Sequence, residues 1–467
     1  MGAAVARDHQ IVFGAEWLTV RLPDDAWLVR QGISLPLPGR DPGEAVREAL
    51  AAPLDSPPLA DLARGARRVA LAFDDPTVPC WAPLWPAAIG AVLAELERAG
   101  VPRRGVTLLC ANALHRKFTE GELAAILGDD LVAEFAPDGR LRCHDAEDAE
   151  GLVRLGATAE GEEVELSRLA VEADLVVYVN ASTTRGFSGG WKSVCVGLSS
   201  YRSIRHHHTP DTMSMSVEKN RMHQVLDRMG QVVEKSLGPR RFFKLETVLS
   251  NPAEVHRVFA GSIPATRRAA LEIARAHQPP RRDLVPEKAD VVLYGVPDWS
   301  PYAAFSRMNP ILTLVSTGLG YLGGLVEAVG KPGCTVIMAT PCPDEWDEVH
   351  HPSYREVWER VLPATRDPFE ARARFEPELA ARPGYVEKYR WAFGFHPAHA
   401  VMAIYPLKRL RHAARVVVAG ARDPAVPRHL GFLAAATVKE ALALAASFHG
   451  GRPTVALVQN PMALSRQ

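Results

Sequence analysis

The sequence holds no C-x-x-C pair, and its six cysteines, Cys80, Cys110, Cys143, Cys195, Cys334 and Cys342, are scattered along the chain. Nothing in that spacing points to zinc or to a disulfide framework, and a reducing cytoplasm fits best. An excess of either charge is also missing: 54 Lys plus Arg balance 54 Asp plus Glu, so no polyanion is implied and nucleic acid is not expected as a partner. No run approaches 18 apolar residues free of charge and turn residues, and MGAAVARDHQIVFGAEW at the N-terminus has no uninterrupted apolar core after its early charge. Neither export nor membrane insertion is expected. Internal repeats and low-complexity tracts are absent as well.

What is present is a globular composition, 47% hydrophobic and 23% charged, in 467 residues. That length exceeds one ordinary core and predicts two domains. Short apolar runs punctuate it: RRVALAF (67–73), GVTLLCA (105–111), ADLVVYVNA (173–181), ADVVLYGV (289–296), GCTVIMAT (333–340) and ARVVVAGA (414–421). Their continuous apolar character suits strands covered on both faces. Helical spacing marks LWPAAIGAVLAELERAG (84–100) and TVKEALALAASFHG (437–450). Alternating strand and helix predict an α/β fold of two domains, with mainly parallel sheets flanked by helices. The proline-rich HQPPRRDLVPEK (277–288) sets the boundary, giving residues 1–280 and 281–467, with the last residues packing back on the first domain.

In parallel sheets ligands sit at the carboxyl ends of strands, so the loops after strands carry the search. FDDPTVPCW (73–81) places Asp74 and Asp75 ahead of a proline turn, and aspartate in that position also serves simply to start a turn. CANALHRKFTEGEL (110–123) brings Asn112, His115 and Arg116 before a helix capped by Thr119 with Glu122 three residues on. A histidine there can act as acid or base near neutral pH, or can hold the loop by hydrogen bonding. His144 and Asp145 in LRCHDAED (141–148) read as structural or supporting groups. The stretch NASTTRGFSGGWKS (180–193) is not a P-loop, because Trp191 rather than glycine precedes the lysine. Ser188, Gly189 and Gly190 before a helix start still predict an amide nest for a phosphate. Lys192 beside it reads as a counter-charge, or as a nucleophile if its pKa is depressed. The run His206-His207-His208 offers imidazoles for nickel, copper or zinc, or is a surface accident.

Taken in order, these motifs resemble the nickel-pincer lactate racemase family: ALAAPLDSPPLADL (49–62), D-x-T-x-P from Asp75 through Thr77 to Pro79, A-x-x-x-HR from Ala111 to Arg116, Thr119 with Glu122, HDAED (144–148), GATAEGEEVEL (156–166) and GFSGGxK (186–192). The resemblance runs through most of the first 280 residues and more faintly through the rest. It implies a nickel-pincer nucleotide, a pyridinium bis-thiocarboxylate mononucleotide bearing nickel, covalently attached at Lys192 in the interdomain cleft. It further implies His208 as the metal ligand, 16 residues beyond that lysine, and His115, Asp75 and Arg116 at the catalytic centre. Ser188, Gly189, Gly190 and Thr77 would join Lys192 and His208 in holding the cofactor, and cofactor-synthesis proteins become implied partners. The implied activity is an isomerase, a racemase or epimerase of a small-molecule 2-hydroxy acid or related secondary alcohol, working by hydride transfer.

The match departs from the family where substrate is expected. Ser182 stands ten residues before Lys192, where a second catalytic histidine belongs, and Val78 replaces the arginine of D-x-T-R-P. A weaker correspondence sets Phe305, Ser306 and Asn309 against a Y-Q-x-x-K pattern. Loss of these positive charges argues against lactate itself, and His396 or His399 is a possible replacement acid or base. Two alternatives stay open: a pincer-dependent redox enzyme without inversion, and a catalytically degenerate homologue that binds nucleotide or metal.

Overall fold

The computed structural model describes residues 6–30, 37–182, 187–213, 220–277 and 283–459. The chain divides into two compact units, one of Ile33–Gln278 with Val386–Phe395, the other of Met1–Gly32, Pro279–Tyr385 and His396–Gln467. One division falls between Gln278 and Pro279, and two segments join the unit on the other side of it.

The first segment is N-terminal. Strands β1 (Ala6–Phe13) and β2 (Glu16–Pro23) form an antiparallel hairpin, followed by the short β3 (Trp27–Arg30). Ile11, Val20 and Leu22 are buried in one apolar core with Val291, Leu293 and Leu457, and the Gly14 amide donates to the Val296 carbonyl at 3.0 Å. Burial of this kind contributes roughly 1.5–3 kcal/mol per large side chain, enough to decide which unit a segment joins. The second segment is Val386–Phe395, where the Tyr389 hydroxyl donates to the Ala113 carbonyl at 2.9 Å and accepts from the Ala146 amide at 2.8 Å.

The unit of residues 33–278 carries β4 (Val69–Asp74), β5 (Val106–Ala111), β6 (Leu141–Cys143), the antiparallel hairpin β7 (Leu152–Ala157) and β8 (Glu163–Ser167), then β9 (Leu175–Ser182), β10 (Phe242–Asn251) and β11 (Glu254–Gly261). Its main sheet has the order β11-β10-β9-β4-β5-β6, parallel except for the β10–β11 pair. Every residue of β4 and β9 is buried, as their unbroken apolar runs predict for a sheet covered on both faces. The helix Leu84–Arg98 turns Leu84, Ala88, Ile89, Val92 and Leu96 inward, a spacing of three and four that gives one apolar stripe. Chain direction across the sheet reverses between β4 and β9, so their carboxyl ends open the crevice at which such sheets bind ligands.

The second unit adds β12 (Ala289–Gly295), β13 (Gly330–Ala339), β14 (Arg415–Ala419), β15 (Leu433–Ala435) and β16 (Val455–Gln459). With β3 they form a fully parallel sheet, β15-β14-β13-β12-β16-β3. The strand β16 therefore pairs with β3, from the first 30 residues of the chain, and the residues after Gln459 lie outside the described ones. Residues Ile311–Val329 form a helical stretch long and apolar enough to cross a membrane, yet most of it is buried as a core helix. Part of it, Ile311–Leu322, is wound as a π-helix, and Gly318 accepts a hydrogen bond from the buried Tyr294 hydroxyl at 3.0 Å.

Candidate active site

The loops after β4, β5 and β9 meet because those strands are neighbours. The two aspartates at the end of β4 do different work. Asp74 accepts from the Tyr178 hydroxyl at 2.9 Å, the Asn180 amide at 2.7 Å and the Ala181 N–H at 3.0 Å, stapling β4 to β9. Burial raises its pKa, with those three hydrogen bonds opposing. Asp75 turns the other way. One of its oxygens accepts from the Thr77 amide at 3.0 Å and the Thr77 hydroxyl at 2.5 Å, and the other lies 2.7 Å from His115 Nδ1. A carboxylate that close favours the tautomer with the ring proton on Nδ1, an arrangement in which Nε2 could take up or give a proton.

The His115 loop is shaped by Asn112, whose side-chain amide donates to the carbonyls of His115 and His144, both at 3.1 Å. Ala113 takes a left-handed φ of 50° within it. Phe395 sets its ring 5.7 Å from the imidazole. Arg116 does not join this site, contrary to the expectation of a catalytic role. Its buried guanidinium makes a paired contact with Glu122, at 2.6 and 3.0 Å, and lies over the Phe118 ring. Glu122 also completes the capping box with Thr119, so Arg116 braces the start of that helix.

After β9 the turn at Gly189 and Gly190 has φ of +85° and +59°. A Cβ at Gly189 would overlap the Glu246 carboxylate and the Ser182 hydroxyl, so the position needs glycine twice over. The predicted amide nest is only partly available, because the Gly190 N–H already donates to Glu246 at 3.0 Å. Trp191 packs edge-on against Phe242, and a Cβ on Gly230 would collide with its indole, which explains a tryptophan before the lysine. Lys192 opens the short helix Lys192–Cys195, with its ammonium 4.2 Å from the centre of the Phe187 ring. Burial pushes its pKa down to about 8, Asp74 and Asp75 opposing and the Arg267 and Lys244 cations assisting.

A cavity of about 70 Å³ collects Asp75, Thr77, Val78, His115, Ser188 and Lys192 among its lining, with Gly189 beside them. His208 is not among the lining residues. Its Nδ1 lies 2.9 Å from Nδ1 of His207, which in turn holds the Cys195 carbonyl at 3.2 Å through Nε2. Burial drives the His207 pKa down to about 3, so this ring is neutral. Among the described residues no group of three or more His, Cys, Asp or Glu side chains is placed to hold a metal ion.

The remaining sequence candidates are framework. His144 Nε2 meets the Ser199 carbonyl at 2.9 Å, and burial lowers its pKa to about 4. Asp145 binds Lys117 at 2.8 Å and Arg390 at 3.1 Å, cations that outweigh its burial and hold its pKa below the usual range. Ser182, buried, donates its single proton between Asn180 Oδ1 at 3.1 Å and Glu246 Oε1 at 2.9 Å. In the other unit, His396 caps the helix Pro397–Ala403, and His399 Nδ1 lies 2.7 Å from the Tyr354 hydroxyl. Asn309 accepts from the Leu312 amide at 2.9 Å while its own side-chain amide is buried without a partner.

Residue reading missed Lys244, Glu246 and Arg267, which lie under the Lys192 turn. The signal was a lysine and a glutamate two residues apart in FFKLETVLSN, hence on one face of an otherwise apolar strand.

The donor set suits the group that the resemblance implies at its attachment point: a buried amine of lowered pKa lines one cavity with an aspartate-oriented histidine. A nucleotide held there would extend beyond a 70 Å³ space, since such ligands fill pockets of several hundred Å³.

This is an α/β protein with its candidate site at the carboxyl edge of a parallel sheet, at the point where strand order reverses. Residues 13–221 match the family model of the lactate racemase N-terminal domain. The lactate racemase of Lactiplantibacillus plantarum is 26% identical over 237 residues, 50% of this chain and 54% of that protein. The lactate racemase of Thermoanaerobacterium thermosaccharolyticum is 27% identical over 263 residues, 54% of this chain and 58% of that protein. The chain thus aligns over little more than half the length of these curated relatives. The structure of the lactate racemase apoprotein from T. thermosaccharolyticum superposes with a TM-score of 0.70 at 20% identity, covering 98% of this chain and 99% of that one. A crystal structure of a Thermotoga maritima protein gives 0.52 at 15% identity, covering 85% and 93%. The chain is thus similar to lactate racemases in sequence over about half of its length and in fold over nearly all of it.

Proposed function

We propose that the protein is a racemase or epimerase of a 2-hydroxy acid or related secondary alcohol, with a nickel-pincer nucleotide tethered to Lys192. The observation that carries this reading is one cavity lined by the Lys192 amine and the Asp75-oriented His115. Curated relatives described as lactate racemases support the reaction class. When bound, the pincer supplies a hydride acceptor and donor for the substrate carbon. His115 Nε2 removes the hydroxyl proton and returns it, while the Asp75 carboxylate stabilises the imidazolium and Thr77 holds that carboxylate in place. Val78 presents an apolar wall where a charge would be needed to grip a small carboxylate, which favours a substrate other than lactate. Delivery of the cofactor requires proteins that make it, and the six free cysteines suit a reducing compartment.

The test is intact mass and nickel content of the chain co-produced with a pincer-synthesis system. The expected result is an adduct mapping to Lys192 with about one nickel per chain, lost in Lys192→Ala. An adduct persisting in Lys192→Ala, or an unmodified nickel-free wild type under conditions that load a lactate racemase, refutes the assignment.

Ser182 supports a second reading. Its hydroxyl is engaged by Asn180 and Glu246, leaving His115 as the one histidine in the cavity lining, as suits a pincer-dependent redox enzyme without inversion. Chiral analysis of product formed in deuterated water separates the two: inversion removes the redox reading, and net accumulation of a keto product removes the racemase one.

A further inference from the structure

The turn that presents Lys192 rests on an ion cluster that the reaction above does not use. Glu246, wholly buried on β10, accepts from the Gly190 amide at 3.0 Å and the Ser182 hydroxyl at 2.9 Å, and pairs with the Lys244 ammonium at 3.0 Å. Lys244, equally buried, donates to the Gly190 carbonyl at 2.9 Å and the Ser193 hydroxyl at 2.8 Å. Arg267, on the helix Ile263–His277, stands 3.7 Å from the second Glu246 oxygen and donates to the Ser188 carbonyl. Its other terminal nitrogen is 3.3 Å from His223 Nε2, which also contacts the Phe187 carbonyl at 3.0 Å. One ion pair therefore grips both polar groups of Gly190, and the two cations take the residues on either side of it.

Folding alone gives no reason for such a cluster, because well-packed apolar residues usually stabilise a core as well as or better than a buried ion pair. We infer that Lys244, Glu246 and Arg267 are positioning residues that fix the Ser188–Ser193 turn and set the charge beneath Lys192, so that its amine faces the cavity as a nucleophile. This inference rests on reading Lys192 as the cofactor tether. The charged and titratable surroundings of that amine are Asp74 at the end of β4 and Asp75 just after it, His115 across the cavity, Lys244 and Glu246 from β10, Arg267 with Asp227 behind it, and the neutral His207 and His223. Arg267 and Lys244 oppose protonation of Lys192, and the two aspartates favour it.

The test uses the full chain made without pincer synthesis, labelled with an N-hydroxysuccinimide acetate probe and followed at Lys192 by peptide mass spectrometry across pH. The wild type should label with a midpoint near 8. Arg267→Gln should lower the Lys192 labelling rate at neutral pH by about tenfold, the factor for one pKa unit, and Arg267→Lys should restore it. Glu246→Gln, which keeps size and shape but removes an anion, should move the midpoint the opposite way, to lower pH. Opposite shifts from two lesions in one cluster would not come from loosened packing. Folded variants with an unshifted midpoint overturn the inference, as does loss of the native fold in both. If wild-type Lys192 carries the cofactor adduct while labelling is unshifted in the variants, only this inference fails. Shifted labelling without any adduct leaves it standing and sinks the tether.

Discussion

At the scale of single residues, the site turns on which of two adjacent aspartates faces the histidine. Asp75 holds His115 through Nδ1 and is itself held twice by Thr77, whereas Asp74 spends its oxygens on β9. Asp75→Asn should keep the shape but allow the wrong tautomer. Under the proposed reaction, we expect kcat to fall by about 10²- to 10⁴-fold with little change in KM; a fall confined to KM would mean that Asp75 only binds substrate. His115, Asp75, Thr77 and Lys192 were legible because chemistry-bearing residues in loops after parallel strands have few structural duties. Arg116 was misread because sequence shows the pair His115-Arg116 but not which partner each side chain finds, and Glu122 claims the guanidinium. The buried histidines yield a second expectation. His144, His207 and His223 have pKa values lowered to about 4, 3 and 3 by burial. Their unfolded forms bind protons from about pH 6.5 downward, while the folded forms do not. Stability is then full above that value and is lost progressively as pH falls toward 4. The urea midpoint measured against pH should decline over this window, and a flat profile would contradict neutral burial of these rings.

At the scale of elements, the apolar strands were readable from their composition, and the Thr119–Glu122 capping box is present as written. The strands β7, β8, β10 and β11 were not foreseen. Alternation is interrupted by a bulge in the first pair, and β10 mixes a buried lysine and glutamate into an apolar run, so neither gives a clean period. The π-wound stretch Ile311–Leu322 was equally hidden, since a wider turn leaves no distinct mark in a segment buried almost throughout. The glycine turn yields the prediction at this scale. Gly189→Ala combines a left-handed φ with overlap on Glu246 and Ser182, and should cost about 1–3 kcal/mol in chemical denaturation. It should also displace Lys192, so that under the proposed tether adduct formation falls with it; an alanine variant of unchanged stability would mean that the turn relaxes without penalty.

For the whole molecule, one division between the units falls at the proline-rich stretch before β12, and the others fall where composition gives no sign. Pairing of β3 with β16 joins residues more than 400 positions apart, and no local pattern reports a contact of that separation. Likewise Val386–Phe395 belongs with residues far earlier in the chain through Tyr389. Tyr389→Phe leaves the Ala146 amide and the Ala113 carbonyl without their buried partner, and should lower the stability of the site-bearing unit by about 1–3 kcal/mol; an unchanged unfolding midpoint would show that this segment is dispensable.

That interleaving sets an order of events during synthesis. The unit bearing Lys192 lacks its Tyr389 clasp until residue 395 has left the ribosome, and the other sheet cannot place β3 until its partner β16 near residue 459 is made. Under the proposed tether, attachment at Lys192 would meet a complete site-bearing unit only once residue 395 has emerged, and a chain stalled before that point would present the lysine on an unfinished scaffold.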